Sequence, residues 1–498
     1  MTLRNTSLFL MFCAVFFLCG CAGIVSGSAP TPTPTPTPTP GSLQSVNHII
    51  FMLQENRSFD AYFGKMNDFR ASQGLGRDAD DVEADFTNPA DDGTTIANYH
   101  LPTSCIFNTT AAWLESWGDM SRFGKPPGTP LLLNGFVHTG GGLATFDGDP
   151  DTKGVRSMGF YTGTDLNSPY FFATQFATSD RWYTPAPMQT EVVRLYSMAA
   201  TSQGLVHPPS QTNAALNATT IFQLLDKAGV SWKIYSVDRQ SNGLLITSLR
   251  NFQPYIFSVE DHIVPIDQFF ADMQAGTLPS FSYIEPGFLS GTDEHPGKTN
   301  NITAGSAFMN KIITSLISSP SWKDSVFIES FDEGGGLFDH VGPMIDGQPI
   351  QELHSLAAGQ AVGPGNYSTD ANIQHVPNPD GIPPGRDLGP NDPAPPAADF
   401  TRTGFRVPLI IVSPFAKPHY VSHTPMDYTA VLKFVEKRFN LPNLNNRDAA
   451  QADMSEFFDF ANAPNMNPPM APIQNQNVPC NPLAASAASG AVWVPPAQ

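Results

Sequence analysis

The sequence predicts an α/β domain, a three-layer α/β/α sandwich with long loop insertions around a mostly parallel sheet. Three observations carry that prediction. Short, nearly continuous apolar runs rich in β-branched and aromatic residues recur along the chain, segments of helical periodicity fall between them, and two of the runs are followed at once by polar, carboxylate-rich residues. Strands buried on both faces read as continuous apolar runs. Strands alternating with helices build a parallel sheet covered on both faces, and chemistry in such sheets gathers at the carboxyl ends of the strands.

The elements follow in order. Val46 to Leu53 reads as the first buried strand, and Gln54-Glu55-Asn56-Arg57-Ser58-Phe59-Asp60 follows it directly. A helical segment, Thr220 to Ala228, precedes a strand at Val230 to Val237, and Phe281 to Glu285 is another strand. The helical pattern Ala304 to Ile317 leads to the strand Val326 to Phe331, which runs into Asp332-Glu333-Gly334-Gly335-Gly336-Leu337-Phe338-Asp339-His340. Arg406 to Val412 is a further strand, with a helical pattern after it from Tyr428 to Phe439. Pro-, Gly- and Asn-rich stretches, Thr139 to Asp165 and Gln348 to Asp399, read as loops between these units. Length alone permits two to four domains. No internal repeat is visible, so one domain over residues 46–460, with an irregular insertion at about 342–400 and an irregular tail over 461–498, is the simpler reading.

The first residues stand outside that domain. Arg4 precedes an apolar run from Leu8 to Leu18, about eleven residues and too short to span a bilayer. Leu18-Cys19-Gly20-Cys21 at its end resembles the bacterial lipoprotein box. That resemblance makes residues 1–20 an export signal and Cys21 a lipidated first mature residue. It implies an exported protein, anchored at the cell envelope or released as a secreted or periplasmic one. Five Thr-Pro pairs, Thr31 to Pro40, form an extended spacer of roughly 30 Å within the linker 21–45. Beyond the signal and Cys21 only Cys105 and Cys480 remain, either a pair in an oxidising compartment or two free thiols, and thiolate zinc spacing is absent.

Composition bounds the partners. Lys and Arg number 26 against 45 Asp and Glu, a net charge of −19, which argues against a nucleic-acid surface. Charged residues are 14% of the chain, too few for a coiled coil.

Three clusters carry chemistry. Glu55 and Asn56 place two hard oxygen donors just past a strand, suited to Mg²⁺, Ca²⁺, Mn²⁺ or Zn²⁺, although Ser58 or Asp60 in a polar helix-capping turn explains the same residues. Asp332 and Glu333 are adjacent carboxylates that need a cation or a proton to coexist. The segment Gln189-Thr190-Glu191-Val192-Val193-Arg194 offers a hydroxyl that a metal can activate and a guanidinium that can grip phosphate oxygens. His138, His295, His340 and His423 lie in or near Gly-, Pro- and Asp-rich stretches, where recognition residues concentrate.

Gln54 through Gly64 resembles the opening signature of the bacterial phosphoesterase family, which holds phosphatidylcholine-type phospholipases C and an acid phosphatase branch. Asp332 through Val341 resembles its second signature, and Ser413-Pro414-Phe415-Ala416-Lys417-Pro418-His419-Tyr420-Val421-Ser422-His423-Thr424 a third. The likeness extends from Asn47 to about Asp448. It implies an alkaline-phosphatase-like fold, cleavage of phosphate esters, and a hydroxyl nucleophile near one or more divalent metal ions. By position, the metal ligands fall on Glu55, Asn56, Asp332 and Glu333, and the nucleophile on Thr190, with Arg194 four residues on. His295 becomes the candidate acid for the leaving group, while His138, His340 and Asn56 are expected to hold substrate oxygens. Many members read Pro-Thr-x-Pro-Asn-Arg where this chain reads Gln-Thr-Glu-Val-Val-Arg, a departure that bears on substrate choice. Three readings follow: a phospholipase C-like enzyme acting through a phospho-threonine intermediate on a phosphate ester such as a phospholipid, an acid phosphatase acting on monoesters, and a non-catalytic surface-binding lipoprotein. Trp113, Trp117, Trp182 and Tyr183 are candidates for a choline-binding cage or for the core.

Overall fold

At the centre of the computed structural model is an eight-stranded sheet built around the first apolar run. The structure describes residues 41–82, 86–122, 131–209, 216–344 and 402–487. These all fall in one compact unit that begins at Pro40, and the signal, most of the linker and most of the 342–400 insertion lie outside the described residues. In chain order the strands are β1 (His48–Gln54), β2 (Ala177–Ser179), β3 (Trp232–Ser236), β4 (Ile263–Pro265), β5 (Phe281–Glu285), β6 (Ser325–Phe331), β7 (Leu409–Val412) and β8 (Tyr420–Ser422). Across the sheet they run β8-β2-β7-β6-β1-β5-β3-β4.

β1 pairs in parallel with both β5 and β6, in registers that set Phe51 beside Tyr283 and Ile50 beside Phe327. The sheet is mostly parallel, as the continuous apolar runs predict, but β7 is antiparallel to both β6 and β2. A four-residue apolar run carries no sign of its direction. From Ile49 to Gln54 every residue of β1 is buried, which is why the run is continuous rather than alternating.

Alternation along β5 shows the layers. Tyr283 packs its ring against Phe222 of the helix Ile221–Ala228 and bonds Ser197 of the helix Thr190–Ala199. Its neighbour Ile284 points to the other face, where Tyr235, its register partner, packs edge-on against Phe269 of the helix Ile266–Ala275. The helix Thr429–Phe439 joins the first group, and Ile302–Ile317 and Asn167–Gln175 join the second, giving helix, sheet and helix layers. Fully burying an Ile or Phe contributes about 1.5–3 kcal/mol, and truncating Phe327, 0% exposed at the sheet centre, to Ala costs about 3–5 kcal/mol.

Three elements differ from the sequence reading. The stretch from Thr139 is not all loop, because Phe136–Asp147 is a helix. Its glycines serve close approach rather than a turn: a Cβ on Gly141 would lie 2.6 Å from the Thr152 carbonyl oxygen. Arg406 to Pro408 lie outside the ladder of β7, Arg406 forming an isolated bridge to Tyr183. Within the described residues the tail is irregular as far as Asn481 and then forms a short helix, Pro482–Ala487, and Cys105 and Cys480 form a disulfide. Trp113, Trp117, Trp182 and Tyr183 are all buried, as core rather than as an open aromatic cage.

Candidate active site

Parallel pairing of β1, β5 and β6 brings their carboxyl ends to one edge of the sheet, and with them Glu55-Asn56, Glu285 and Asp332-Glu333. Asn56 adopts a left-handed φ of 58°, a conformation Asn tolerates better than most residues. Its N–H donates to Asp332 Oδ1 at 3.0 Å, and the Asp332 N–H donates to the Gln54 carbonyl at 3.0 Å, so the two loops are bonded in both directions. Gly335, with φ 71°, makes this approach possible, since a Cβ there would stand 2.5 Å from the Asn56 carbonyl oxygen. Its N–H donates to the Glu333 carboxylate. Ser58 caps the helix Phe59–Phe63, accepting from the Ala61 N–H at 3.2 Å, so the capping explanation holds for that residue.

Thr190 opens the helix Thr190–Ala199, and Arg194 stands one turn on, so the four-residue spacing puts both on one helix face. The Thr190 hydroxyl is 3.1 Å from Glu55 Oε2 and 3.2 Å from Asn56 Oδ1. Arg194 is buried, pairing with Glu55 at 2.8 Å, with Asp332 and Glu285 at 3.3 Å each, and donating to the Leu53 carbonyl at 2.7 Å. The Phe288 ring lies 5.0 Å from its guanidinium carbon. The structure therefore joins Glu55, Asn56, Thr190, Arg194 and Asp332 in one bonded group, with Glu333 attached through its own N–H to Asp332 Oδ1 at 2.7 Å.

Burial pushes the Glu55 and Glu333 carboxyls well above their ordinary range, and the charge of Asp332 adds to the rise of both against the pull of Arg194. Glu285 is raised by burial as well. Burial would lower the Arg194 guanidinium, but Glu55 and Asp332 more than offset it and hold it charged. Four carboxyls thus face one guanidinium, an excess that calls for protons or another cation. The donors are all oxygen, so they fit a hard divalent ion.

The histidines are more dispersed. His295 is half-buried, and because its Nδ1 meets the Pro296 carbonyl at 2.6 Å, that nitrogen carries a proton and Nε2 is left for other work. Its loop is tied to the cluster, since the Glu55 N–H donates to the Asp293 carbonyl at 2.8 Å. His138 lies on the helix Phe136–Asp147 with Nδ1 2.8 Å from Asp91. His340, expected at substrate, is only 1% exposed, with Nδ1 2.7 Å from Asp60 and Nε2 3.0 Å from Asp80. Burial opposes its charge, but Asp60 outweighs that and pushes it up to about 10. Asp60, Asp339 and His340 bring three ligand atoms within 4.8 Å of one another, a group that can hold a metal ion. Arg406 already bonds Asp60 and Asp339 at 2.8 Å there, so a guanidinium supplies the positive charge. His423 is half-exposed and pairs with Asp180 at 2.9 Å.

Glu285, Asp293 and Arg406 are the members that motif reading missed. Glu285 had a signal, a carboxylate closing a buried strand. Arg406 had none, because its partners lie far away in sequence.

A model of the Phosphoesterase family matches residues 46–442. Phospholipase C B of Mycobacterium tuberculosis is 29% identical over 469 residues, covering 86% of this chain and 80% of that protein. Non-hemolytic phospholipase C of Pseudomonas aeruginosa is 27% identical over 471 residues, covering 88% of this chain and 60% of that one. Among solved structures, a protein of the alkaline phosphatase superfamily from Vibrio parahaemolyticus is 12% identical with a TM-score of 0.29, over 78% of each chain. With the family model spanning most of its length, the chain belongs to the phosphoesterase family and is a phosphoric ester hydrolase.

Proposed function

We propose that the protein is a phospholipase C-like phosphoesterase whose nucleophile is the Thr190 hydroxyl. The observation that carries the reading is that hydroxyl, half-buried at the head of its helix and within hydrogen-bond reach of both Glu55 and Asn56. Glu55, Asn56, Asp332 and Glu333 would hold a divalent metal ion, which when bound supplies charge stabilisation for the alkoxide and the phosphoryl oxygens.

The chain's own residues do the rest. Thr190 Oγ1 attacks phosphorus, and the bond from phosphorus to the leaving oxygen breaks as the new one forms. The hydroxyl proton has Glu55 Oε2 at 3.1 Å and Asn56 Oδ1 at 3.2 Å within reach, and of the two only the carboxylate can take it as the bond to phosphorus forms. His295 donates to the leaving oxygen and then takes a proton from the water that cleaves the Thr190 ester, one group serving as acid and then base. Arg194, buried under the cluster, holds Glu55 and Asp332 in place rather than reaching out to substrate. The phospholipase C names of the relatives support a phospholipid or other phosphodiester as substrate. The Cys105–Cys480 disulfide fits an oxidising compartment, and the Leu-x-Gly-Cys box supports anchoring through Cys21. No helix among the described residues is long and apolar enough to cross a membrane.

Turnover of phosphatidylcholine and of an aryl phosphate monoester, by wild type, Thr190→Ala and Thr190→Ser, tests the proposal. Thr190→Ala should lose about 10³-fold or more, and Thr190→Ser should retain part of the activity. Full activity in Thr190→Ala overturns the nucleophile. Activity on the monoester alone favours the acid phosphatase, and no turnover of either with added metals favours a binder.

A further inference from the structure

Glu294 stands between Asp293 and His295 and is 1% exposed. Its φ is 69°, a left-handed conformation that a non-glycine residue keeps only where its surroundings enforce it. Three contacts do so. Arg57 grips the Glu294 carbonyl with two donors, Nε at 2.9 Å and Nη2 at 2.6 Å. The hydroxyls of Ser306, at 2.9 Å, and Tyr62, at 3.3 Å, both donate to Glu294 Oε1. Gly305, on the helix Ile302–Ile317, leaves room for the side chain, since a Cβ there would lie 2.2 Å from Glu294 Cγ. Burial lifts the carboxyl to about 8, so it is mostly protonated near neutral pH and a carboxamide is its natural substitute.

The residue before it meets the catalytic cluster, and the residue after it is bonded to that one. The Asp293 carbonyl accepts the Glu55 N–H at 2.8 Å, and Asp293 Oδ1 accepts the His295 N–H at 3.2 Å. Glu294 therefore plugs the loop into the core from behind while Asp293 meets Glu55 in front and holds the His295 N–H.

We infer that Glu294 is a positioning residue, whose side chain seated among Tyr62, Ser306 and Gly305 fixes the Asp293–His295 backbone and presents His295 to the leaving group. The inference rests on the role of His295 proposed above. Its mechanism is orientation, where a small displacement of an acting group costs rate rather than substrate affinity.

The test is a double-mutant cycle on the full chain with an alkyl-leaving-group phosphodiester, read as kcat and KM. Glu294→Ala should lower kcat by about 10- to 100-fold with little change in KM. Glu294→Gln should restore most of the rate. On a His295→Asn background, Glu294→Ala should cost almost nothing further, because the group it positions is gone. A merely structural role gives additive losses instead, and that result overturns the inference, as does wild-type kcat in Glu294→Ala. Wild-type kcat in His295→Asn removes the role of His295, and the inference with it. If Glu294→Ala yields too little folded protein, Gly305→Ala keeps the carboxyl but crowds its seat, and it is held to the same outcomes.

Discussion

The Thr190 hydroxyl donates to Glu55 Oε2 at 3.1 Å while lying 3.2 Å from Asn56 Oδ1. One proton serves two acceptors, so the hydroxyl is held between a carboxylate and a carboxamide, and the Asn56 backbone N–H in turn bonds Asp332 of the second signature. The geometry ties Thr190, the first-strand turn and the Asp332 loop into a single unit.

Glu55→Gln should separate stability from activity. Burial and Asp332 raise the Glu55 carboxyl, so its favourable contribution is fully present below its ordinary pKa and is lost as pH rises. At neutral pH, without metal, the neutral amide should therefore raise Tm, while turnover falls by about 10²-fold or more. Thermal melts in chelator alongside initial rates check both halves.

Chelation should lower turnover and melting temperature together, because a cation held by Glu55, Asn56, Asp332 and Glu333 as proposed would relieve the four buried carboxyls of Glu55, Glu285, Asp332 and Glu333, which share one guanidinium. Ligand at about 100 times its Kd stabilises by about 2.7 kcal/mol. Restoring Mg²⁺, Ca²⁺, Mn²⁺ or Zn²⁺ singly to the chelated enzyme, and following Tm and rate for each, identifies the metal.

His340→Gln should destabilise the fold by about 3–5 kcal/mol at pH 7, since it removes a buried charge from between Asp60 and Asp80. The imidazole is raised from its ordinary 6.5 to about 10. Its contribution is therefore complete below about 6.5 and disappears as pH climbs through about 10. The Tm gap between wild type and variant should accordingly narrow between pH 7 and pH 10, as melts across that window will show.

Much of this site was legible because it is locally contiguous. Glu55 to Asp60 and Asp332 to His340 each follow a seven-residue strand that is buried over at least six of its positions, so an apolar run that stops abruptly at carboxylates marks a strand end carrying chemistry. Thr190 and Arg194 show only a spacing, which gains meaning once a helix puts both on one face. What sequence reading missed is long-range. Arg406 bonds Asp60, 346 positions away, and nothing near Arg406 announces it. The outer strands Ala177–Ser179, Ile263–Pro265 and Tyr420–Ser422 are three residues each, too short to establish a period. The helix at Phe136–Asp147 was hidden by its three consecutive glycines, which ordinarily mark a loop and here admit a neighbouring backbone.

Attack by Thr190 on phosphorus as proposed would leave a covalent intermediate on that residue. The direct measurement is a rapid acid quench of enzyme during turnover of a phosphate ester, followed by peptide mass spectrometry. The expected result is the phosphoryl group, with its remaining ester substituent, on the peptide that contains Thr190, and its loss in Thr190→Ala. Steady turnover with Thr190 unmodified, or with the group on another residue, would contradict it.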